Sequence, residues 1–303
     1  MTYPFSFGKR THMNDQQGRT VVVTGAGSGF GAAATRVLAG RGAHVVMAAR
    51  DTAKATRVRD EIVAEQPGAR LTVRALDLFD PASVRAFAEA TDEVDVLLAN
   101  AGLGSMQRVV GPLGVERGFA TNHLGHFALA ALLFPRMERA AAPRVVTVSS
   151  SLYRRGRIPE DLTYRGRAAM LRSYNDSKLA NALFAVELGR RTAAAGSPVA
   201  SVLVHPGMAS TPMQDGHPAP VRAVLGLLTR WVGNSVDAGA AALVEGVVGR
   251  VPAAGIIGPD RHGGRSEVQA LRAPADDVEL ARRLWERSEE LTGVPFPVRA
   301  PAV

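Results

Sequence analysis

The sequence predicts a doubly wound α/β fold: a seven-stranded parallel sheet with helices on both faces, in one domain spanning residues 20–303. Three observations predict it. Thr20 to Thr24 (TVVVT), the turn Gly25-Ala26-Gly27-Ser28-Gly29-Phe30-Gly31 and an alanine-rich helix follow one another directly. Short β-branched runs then alternate with helix-length segments, the pattern of parallel strands joined by crossover helices. The polar residues of greatest chemical promise follow strand ends, where an open α/β sheet binds its ligand.

The first 19 residues read as a polar tail or edge extension, without an apolar core of signal-peptide length. β-branched Thr20 to Thr24 forms a buried strand. The glycines after it let the backbone turn tightly and approach a pyrophosphate, while the following helix, reaching about Ala39, offers free N–H groups and a positive dipole end. Gly31 is followed by Ala32, whereas an ATP-binding P-loop ends in Gly-Lys-Ser/Thr. The turn therefore points to a dinucleotide through Gly25, Ser28, Gly29, Phe30 and Gly31.

The second strand, His44 to Ala49, ends at Arg50-Asp51. In a dinucleotide fold an acidic residue here takes the ribose hydroxyls of NAD, and an Arg accommodates the 2′-phosphate of NADP. Arg50 comes first after the apolar run, so NADP(H) is preferred over NAD(H). Asp51 also fits as the N-cap of the helix from Thr52 to about Glu65. Leu71 to Leu76 is the third strand, followed by Asp77-Leu78, and Asp80-Pro81 starts the next helix. Val94 to Ala99 is the fourth, ending in Asn100-Ala101-Gly102. A long helix from about Gly114 to Met137 carries Asn122. Arg144 to Val148 is the fifth strand, ending in Ser149-Ser150-Ser151. Val199 to Val204 is the sixth, followed by Pro206-Gly207 and Thr211, and Ala253 to Ile257 is the seventh.

Between the fifth and sixth strands lies a helix, running to about Arg191, with Tyr174 and Lys178 four residues apart, hence on one face. A cation beside a phenol favours the phenolate, which is how a tyrosine becomes a proton donor or acceptor near neutral pH. The chain has 33 arginines and three lysines, Lys9, Lys54 and Lys178. A sequence so biased towards Arg keeps a Lys inside a helix where a compact point charge is needed.

Composition excludes several classes. With no cysteine, disulfides, thiolate metal sites and cysteine nucleophiles are out. The seven histidines show no metal-ligand spacing. Net charge is +8 and the pI near 10.6, but the arginines are spread along the chain and aromatics make up 5%; no nucleic-acid motif accompanies them. No run approaches 18 apolar residues, so no integral membrane segment is expected. A cytoplasmic protein is the expectation.

Taken jointly, these residues resemble the short-chain dehydrogenase/reductase family, built on the doubly wound (Rossmann) fold. Thr24 to Gly31 matches its TGxxxGxG turn, Asn100-Ala101-Gly102 its NAG, Ser150 the serine after strand five, and Tyr174/Lys178 its YxxxK pair. Asn122 matches the asparagine of the fourth helix, and Pro206-Gly207 with Thr211 the PG-xxx-T segment. The resemblance covers about Arg19 to Gly258. Within the family the chain is most similar to the retinol dehydrogenase and light-dependent protochlorophyllide reductase branch, through Ala48-Ala49-Arg50-Asp51, Ser177 to Phe184 and the tail from Leu284 to Gly293. It departs from the simplest members in the spacing of Ser150 and Tyr174, which stand 24 positions apart. The excess, Tyr153 to Arg172, reads as an insertion over the substrate pocket; its six arginines face an acidic substrate, a membrane surface or, preferably, solvent. The serine is fixed to within one position among Ser149, Ser150 and Ser151, with Ser150 preferred.

The resemblance implies hydride transfer between C4 of NADP(H) and a carbon bearing oxygen in an alcohol, aldehyde or ketone. Tyr174 is then the acid or base, Lys178 lowers its pKa and holds the nicotinamide ribose, Ser150 bonds the substrate oxygen, and Asn122 supports a water relay. Asp77, Leu78, Asn100, Ala101, Gly102, Pro206, Gly207 and Thr211 line the cofactor. No metal is required. Residues 208–232 are expected to cover a lipophilic substrate, with ordinary core packing as the other reading of Val224 to Val232, and a helix closes the chain. The resemblance further implies a homo-oligomer, dimer or tetramer, paired through the helices bearing Asn122 and Tyr174. A nucleotide-sensing regulator on the same fold, without turnover, is the alternative.

Overall fold

The structure is a computed structural model that describes residues 15–104, 108–207, 236–252, 254–260 and 266–298, with backbone alone for 167–171 and 237. Its centre is one eight-stranded sheet in the order β3-β2-β1-β4-β5-β6-β7-β8. The strands are β1 (Thr20–Thr24), β2 (His44–Ala49), β3 (Arg70–Ala75), β4 (Val96–Ala99), β5 (Arg144–Val148), β6 (Ala200–Val204), β7 (Ile256–Pro259) and β8 (Ser266–Gln269). The first seven are parallel, as expected. The expected count of seven is corrected by β8, which pairs antiparallel with β7. Its sequence, Ser-Glu-Val-Gln, carries no apolar run and Val268 is exposed. Backbone pairing at the sheet edge makes this strand, so hydrophobic patterning could not disclose it.

The helices are α1 (Gly29–Gly40), α2 (Thr52–Glu65), α3 (Pro81–Glu89), α4 (Arg117–Phe119), α5 (Gly125–Met137), α6 (Arg167–Ala195), α7 (Val236–Val248) and α8 (Val278–Thr292). Strand residues alternate between the two faces. Val21, Val23, Val45, Met47, Val96 and Leu98 pack with Leu38 of α1 and Leu243 of α7. Val22, Val46, Leu97 and Val145 pack with Phe87 of α3, Phe127 of α5 and Phe184 of α6. Strand order reverses between β1 and β4, which opens the ligand crevice at their carboxyl ends.

The helix expected from Gly114 to Met137 is interrupted. Between α4 and α5 the chain makes a π-helical turn, Ala120–Leu124, with Asn122 at its centre. Such a turn inserts a residue and re-aims side chains. Gly125 ends it for a steric reason: a Cβ there would overlap the Leu78 carbonyl oxygen.

Helix α8 lays its apolar face across α5 and α6. Trp285 meets Phe127 edge-on at 5.3 Å and stacks with Phe184 at 5.7 Å, while Phe296, just beyond the helix, lies 4.6 Å from Trp285. Arg191 of α6 covers the other side of the indole at 4.4 Å. His123 donates to Ser288 Oγ at 2.9 Å, because that hydroxyl gives its own proton to the Leu284 carbonyl. The faces of α5 and α6 that meet α8 are thus covered by the chain's own C-terminal segment.

Two other segments take definite form. Of the first 19 residues, read as a polar tail or edge extension, 15–19 are tied to the fold: the buried Gln16 donates its N–H to the Arg41 carbonyl, and Arg19 reaches the Ala142 carbonyl at 2.7 Å. The insertion after β5 is anchored rather than a solvated loop. It starts as a 3₁₀ turn (Ser151–Arg155) and buries Tyr153, Leu162 and Tyr164 with α6 residues Leu179 and Leu183, while Arg154, Arg155 and Arg157 stay exposed. Asp176 of α6 accepts the Arg157 N–H at 2.9 Å. A Cβ at Gly156 would lie 2.5 Å from the Asn175 carbonyl oxygen, so only glycine lets the segment approach the helix so closely.

Candidate active site

A cleft of about 680 Å³ runs along the carboxyl ends of β1, β2 and β4, within the range typical of small-molecule and cofactor sites. Gly25, Gly27, Ser28, Gly29, Phe30 and Gly31 line it, with Arg50, Asp51, Asp77, Leu78, Asn100, Ala101 and Gly102. Gly25 and Gly29 have φ of +69° and +54°, the left-handed region glycine adopts without strain. A Cβ on Gly31 would overlap the Gly25 carbonyl and lie 2.6 Å from Asn100 Nδ2.

Where α2, α3 and α8 are capped by Asp51, Asp80 and Asp277, the N-cap of α1, Ser28, makes no side-chain capping bond, and the first turn holds no acid. Its N–H groups therefore face the cleft uncompensated, as a pyrophosphate requires. Asp51 Oδ1 is committed to the Lys54 N–H at 2.8 Å. Lys54 itself lines the cleft with Arg50, a residue that the reading of strand two passed over although it is one of three lysines and stands four residues from Arg50.

Thr24 braces the floor. Its hydroxyl oxygen accepts the N–H groups of Asn100 and Ala101, both at 2.9 Å, and Asn100 Nδ2 donates to the Thr24 carbonyl at 2.8 Å. The close fit of Gly31 on this brace predicts that Gly31→Ala loses nucleotide binding and about 1–3 kcal/mol of stability, the usual cost of overpacking. Dinucleotide titration and thermal unfolding check this; wild-type affinity in the variant would contradict it.

Tyr174, Lys178 and Asn122 adjoin the cleft through Gly102 and Gly104 rather than lining it. A Cβ on Gly102 would lie 3.5 Å from Lys178 Nζ and 3.4 Å from Asn122 Oδ1, and one on Gly104 4.0 Å from Tyr174 Cδ2. Lys178 Nζ sits 5.7 Å from the Tyr174 ring centre and donates to the Val148 carbonyl at 3.1 Å. Asn181 donates to the same carbonyl at 3.0 Å. The Ser150 hydroxyl lies close enough to the Tyr174 phenol to act on it. Ser149 is buried and gives its proton to the Lys178 carbonyl at 2.7 Å, and Ser151 is exposed. Of the three serines, Ser150 faces Tyr174. No spacing rule separates adjacent serines; the pleat of β5 does.

Burial pushes Lys178 down to about 8. It also pushes the Tyr174 phenol up, opposed by the nearby Ser150 hydroxyl. The lowering expected of Lys178 includes the help of an oxidised nicotinamide, and in the protein by itself desolvation sets the direction.

Asn122 Oδ1 accepts the Leu103 N–H at 2.8 Å, and its Nδ2 donates to the Leu103 carbonyl and to Ser177 Oγ, each at 3.0 Å. Its carboxamide thus locks the strand-four loop onto α6. Ser177, inside the Tyr-x-x-x-Lys segment, is the partner that sequence reading did not assign. Pro206 is buried at the end of β6, and Gly207 donates to His205 Nδ1 at 3.2 Å. Neither lines the cleft among the described residues; Thr211 and residues 208–232 lie outside the described residues. Among the described residues no cluster of His, Asp or Glu could hold a metal ion, and no helix is long and apolar enough to cross a membrane.

Sheet, cleft and tyrosine site together define an NAD(P)-dependent oxidoreductase on a doubly wound sheet. The chain belongs to the short-chain dehydrogenase family, whose pattern matches residues 19–220. It is 37% identical to dehydrogenase/reductase SDR family member 13 of Bos taurus over 92% of this chain and 74% of that protein. It is 40% identical to retinol dehydrogenase 12 of Homo sapiens over 63% of this chain and 61% of that one. Among solved structures, an uncharacterised protein from Mycobacterium paratuberculosis superposes with a TM-score of 0.76 at 39% identity, covering 94% of this chain and 97% of that one. A short-chain dehydrogenase from Burkholderia phymatum in complex with NAD superposes with a TM-score of 0.61 at 25% identity, covering 78% and 88%.

Proposed function

We propose that this chain is an NADP(H)-dependent alcohol dehydrogenase or carbonyl reductase for a lipophilic small molecule, with Tyr174 as general acid and base. One observation carries the reading: Ser150, Tyr174 and Lys178 come together beside Gly102 and Gly104, at the end of a dinucleotide-shaped cleft. The bound nicotinamide dinucleotide would supply or accept the hydride. The pyrophosphate would rest on the Gly27–Gly31 turn, and the nicotinamide ribose beside Lys178.

In reduction Tyr174 protonates the forming alkoxide while the Ser150 hydroxyl donates to the same oxygen. In oxidation the phenolate takes the hydroxyl proton, and the Lys178 ammonium stabilises that phenolate. Asn122 keeps Leu103 and Ser177 in place around these groups and supports a water relay to Lys178. The intact tyrosine site favours turnover over nucleotide sensing.

The preference for NADP(H) is supported by two cations, Arg50 and Lys54, on the ribose side of the cleft, while the adjoining acid, Asp51, is engaged as a helix cap. A lipophilic substrate is supported by the retinol dehydrogenase relative. Because the α5–α6 face is covered by α8, a homo-oligomer would pair through other surfaces.

The test follows consumption of NADPH and of NADH across a panel of lipophilic aldehydes and ketones. Expected are turnover with NADPH and, in Arg50→Ala, a loss of about tenfold or more in NADPH affinity with NADH little changed. Equal losses for both cofactors would mean that Arg50 does not read the phosphate. No turnover with any carbonyl, despite tight NADPH binding, would favour the sensor.

A further inference from the structure

The structure contains a buried polar chain that joins the dinucleotide brace to the π-helical turn, and a histidine forms its middle. His126, on the first turn of α5, is 3% exposed. Its Nδ1 lies 3.0 Å from the Asn122 carbonyl oxygen, and its Nε2 lies 2.9 Å from Thr24 Oγ1. A carbonyl can only accept, so Nδ1 carries the proton. Burial above all, with the nearby Lys178 charge adding to it, lowers the imidazole to about 4, so the ring is neutral in the working range. Nε2 is then an acceptor, and the Thr24 hydroxyl proton must point at it.

That orientation has a consequence at Thr24. With its proton given to His126, both remaining lone pairs are free for the Asn100 and Ala101 N–H groups, each 2.9 Å away. In the other tautomer, or with the ring protonated, Nε2 would donate. Thr24 would then receive three donors, and its proton would have to turn to the Leu98 carbonyl at 3.3 Å. One tautomer thus satisfies every member of a chain running from the cleft floor to the backbone of Asn122. A fully satisfied buried network of this kind fixes geometry at both ends.

We infer that His126 is a positioning residue that couples the nucleotide brace at Thr24, Asn100 and Ala101 to the π turn bearing Asn122. Its two nitrogens act on different steps: Nε2 supports dinucleotide binding through Thr24, and Nδ1–H holds the Asn122 backbone where its side chain can lock Leu103 and Ser177. The inference rests on the reading of the cleft and tyrosine site given above.

Two variants separate the arms. His126→Asn places a carboxamide near the Nδ1 position and keeps a donor for Asn122, but falls short of Thr24. His126→Gln reaches towards Thr24 and gives up the Asn122 bond. NADPH affinity, by fluorescence titration, and kcat would be measured for both. H126N is expected to weaken NADPH about five- to thirtyfold, and H126Q to keep affinity within about threefold while lowering kcat about tenfold. In a Thr24→Val background, whose hydroxyl is gone, H126N should cost no more than about twofold further, since the link is already cut.

A histidine that merely fills the core would lower thermal stability in both variants without this split, and its losses would add to those of T24V; either result overturns the inference. If H126N does not fold, H126Q alone decides, by a fall in kcat without loss of NADPH affinity or by the absence of that pattern. Failure of the wild-type protein to bind NADPH would instead refute the reading of the cleft.

Discussion

Tyr174→Phe is expected to lower kcat/KM by about 10²–10⁴-fold, the usual contribution of a positioned general acid, with dinucleotide affinity and thermal stability near wild type. The ring stays, so packing beside Gly104 is unchanged. The lost hydroxyl leaves Ser150 Oγ its bond from the Leu152 N–H at 3.3 Å, which limits the stability change to about 1 kcal/mol. The pH profile adds a second check. Because burial raises the phenol above its ordinary value, Tyr174 stays protonated through neutral pH. Carbonyl reduction, which needs the acid form, should then be flat with respect to this group between about pH 6 and 8. Alcohol oxidation, which needs the phenolate, should climb with pH. A Tyr174→Phe enzyme with wild-type rates would end the assignment.

Lys178→Met is expected to abolish turnover while leaving the protein as stable as wild type or more so. The ammonium is nearly fully buried, and burial lowers its pKa to about 8 from 10.5. Keeping it charged at neutral pH therefore costs up to about 3 kcal/mol. Its hydrogen-bond acceptor does not suffer from the change, because Asn181 also donates to the Val148 carbonyl. The linkage has a definite sign. Between pH 8 and 10.5 the unfolded chain holds the proton and the folded protein does not, so wild-type stability should rise as pH increases from about 8. Above pH 10 the raised phenol of Tyr174 acts in the opposite direction, since the folded state then holds the proton that the unfolded chain loses. Denaturant unfolding at pH 7 and pH 9.5 should show a gain in wild type and none in Lys178→Met. A variant several kcal/mol less stable than wild type would show that the charge stabilises the fold rather than straining it. The arrangement is a functional site held against its own desolvation cost.

The limits of what was legible follow from particular residues. The ranges of β1, β2 and β5 agree with the β-branched runs that predicted them, because a buried parallel strand must be apolar on both faces. The glycine turn, Asn100, Tyr174 and Lys178 were legible because close approach of backbone to ligand and a helical i,i+4 relation are local properties. Lys54 was missed although its signal was present: it is one of three lysines in the chain and lies in the first turn of the helix that follows Arg50-Asp51. His126 left a fainter trace, a histidine four residues after Asn122 in a helix that is apolar all round. Nothing local says that Thr24, 102 residues away, is its partner.

By itself the sequence determined the parallel core, the glycine turn, the placing of Tyr174 and Lys178 on one helix, and the family. These depend on backbone periodicity and on steric demands within a few residues. Tertiary structure alone decided which of three adjacent serines faces Tyr174, how the π turn aims Asn122, that β8 adds an antiparallel edge, and that α8 covers α5 and α6. It also decided how deeply Tyr174 is buried, which raises its phenol in the protein by itself. Each of these is set by contacts between residues far apart in the chain, and desolvation depends on everything packed around a group rather than on its neighbours in sequence.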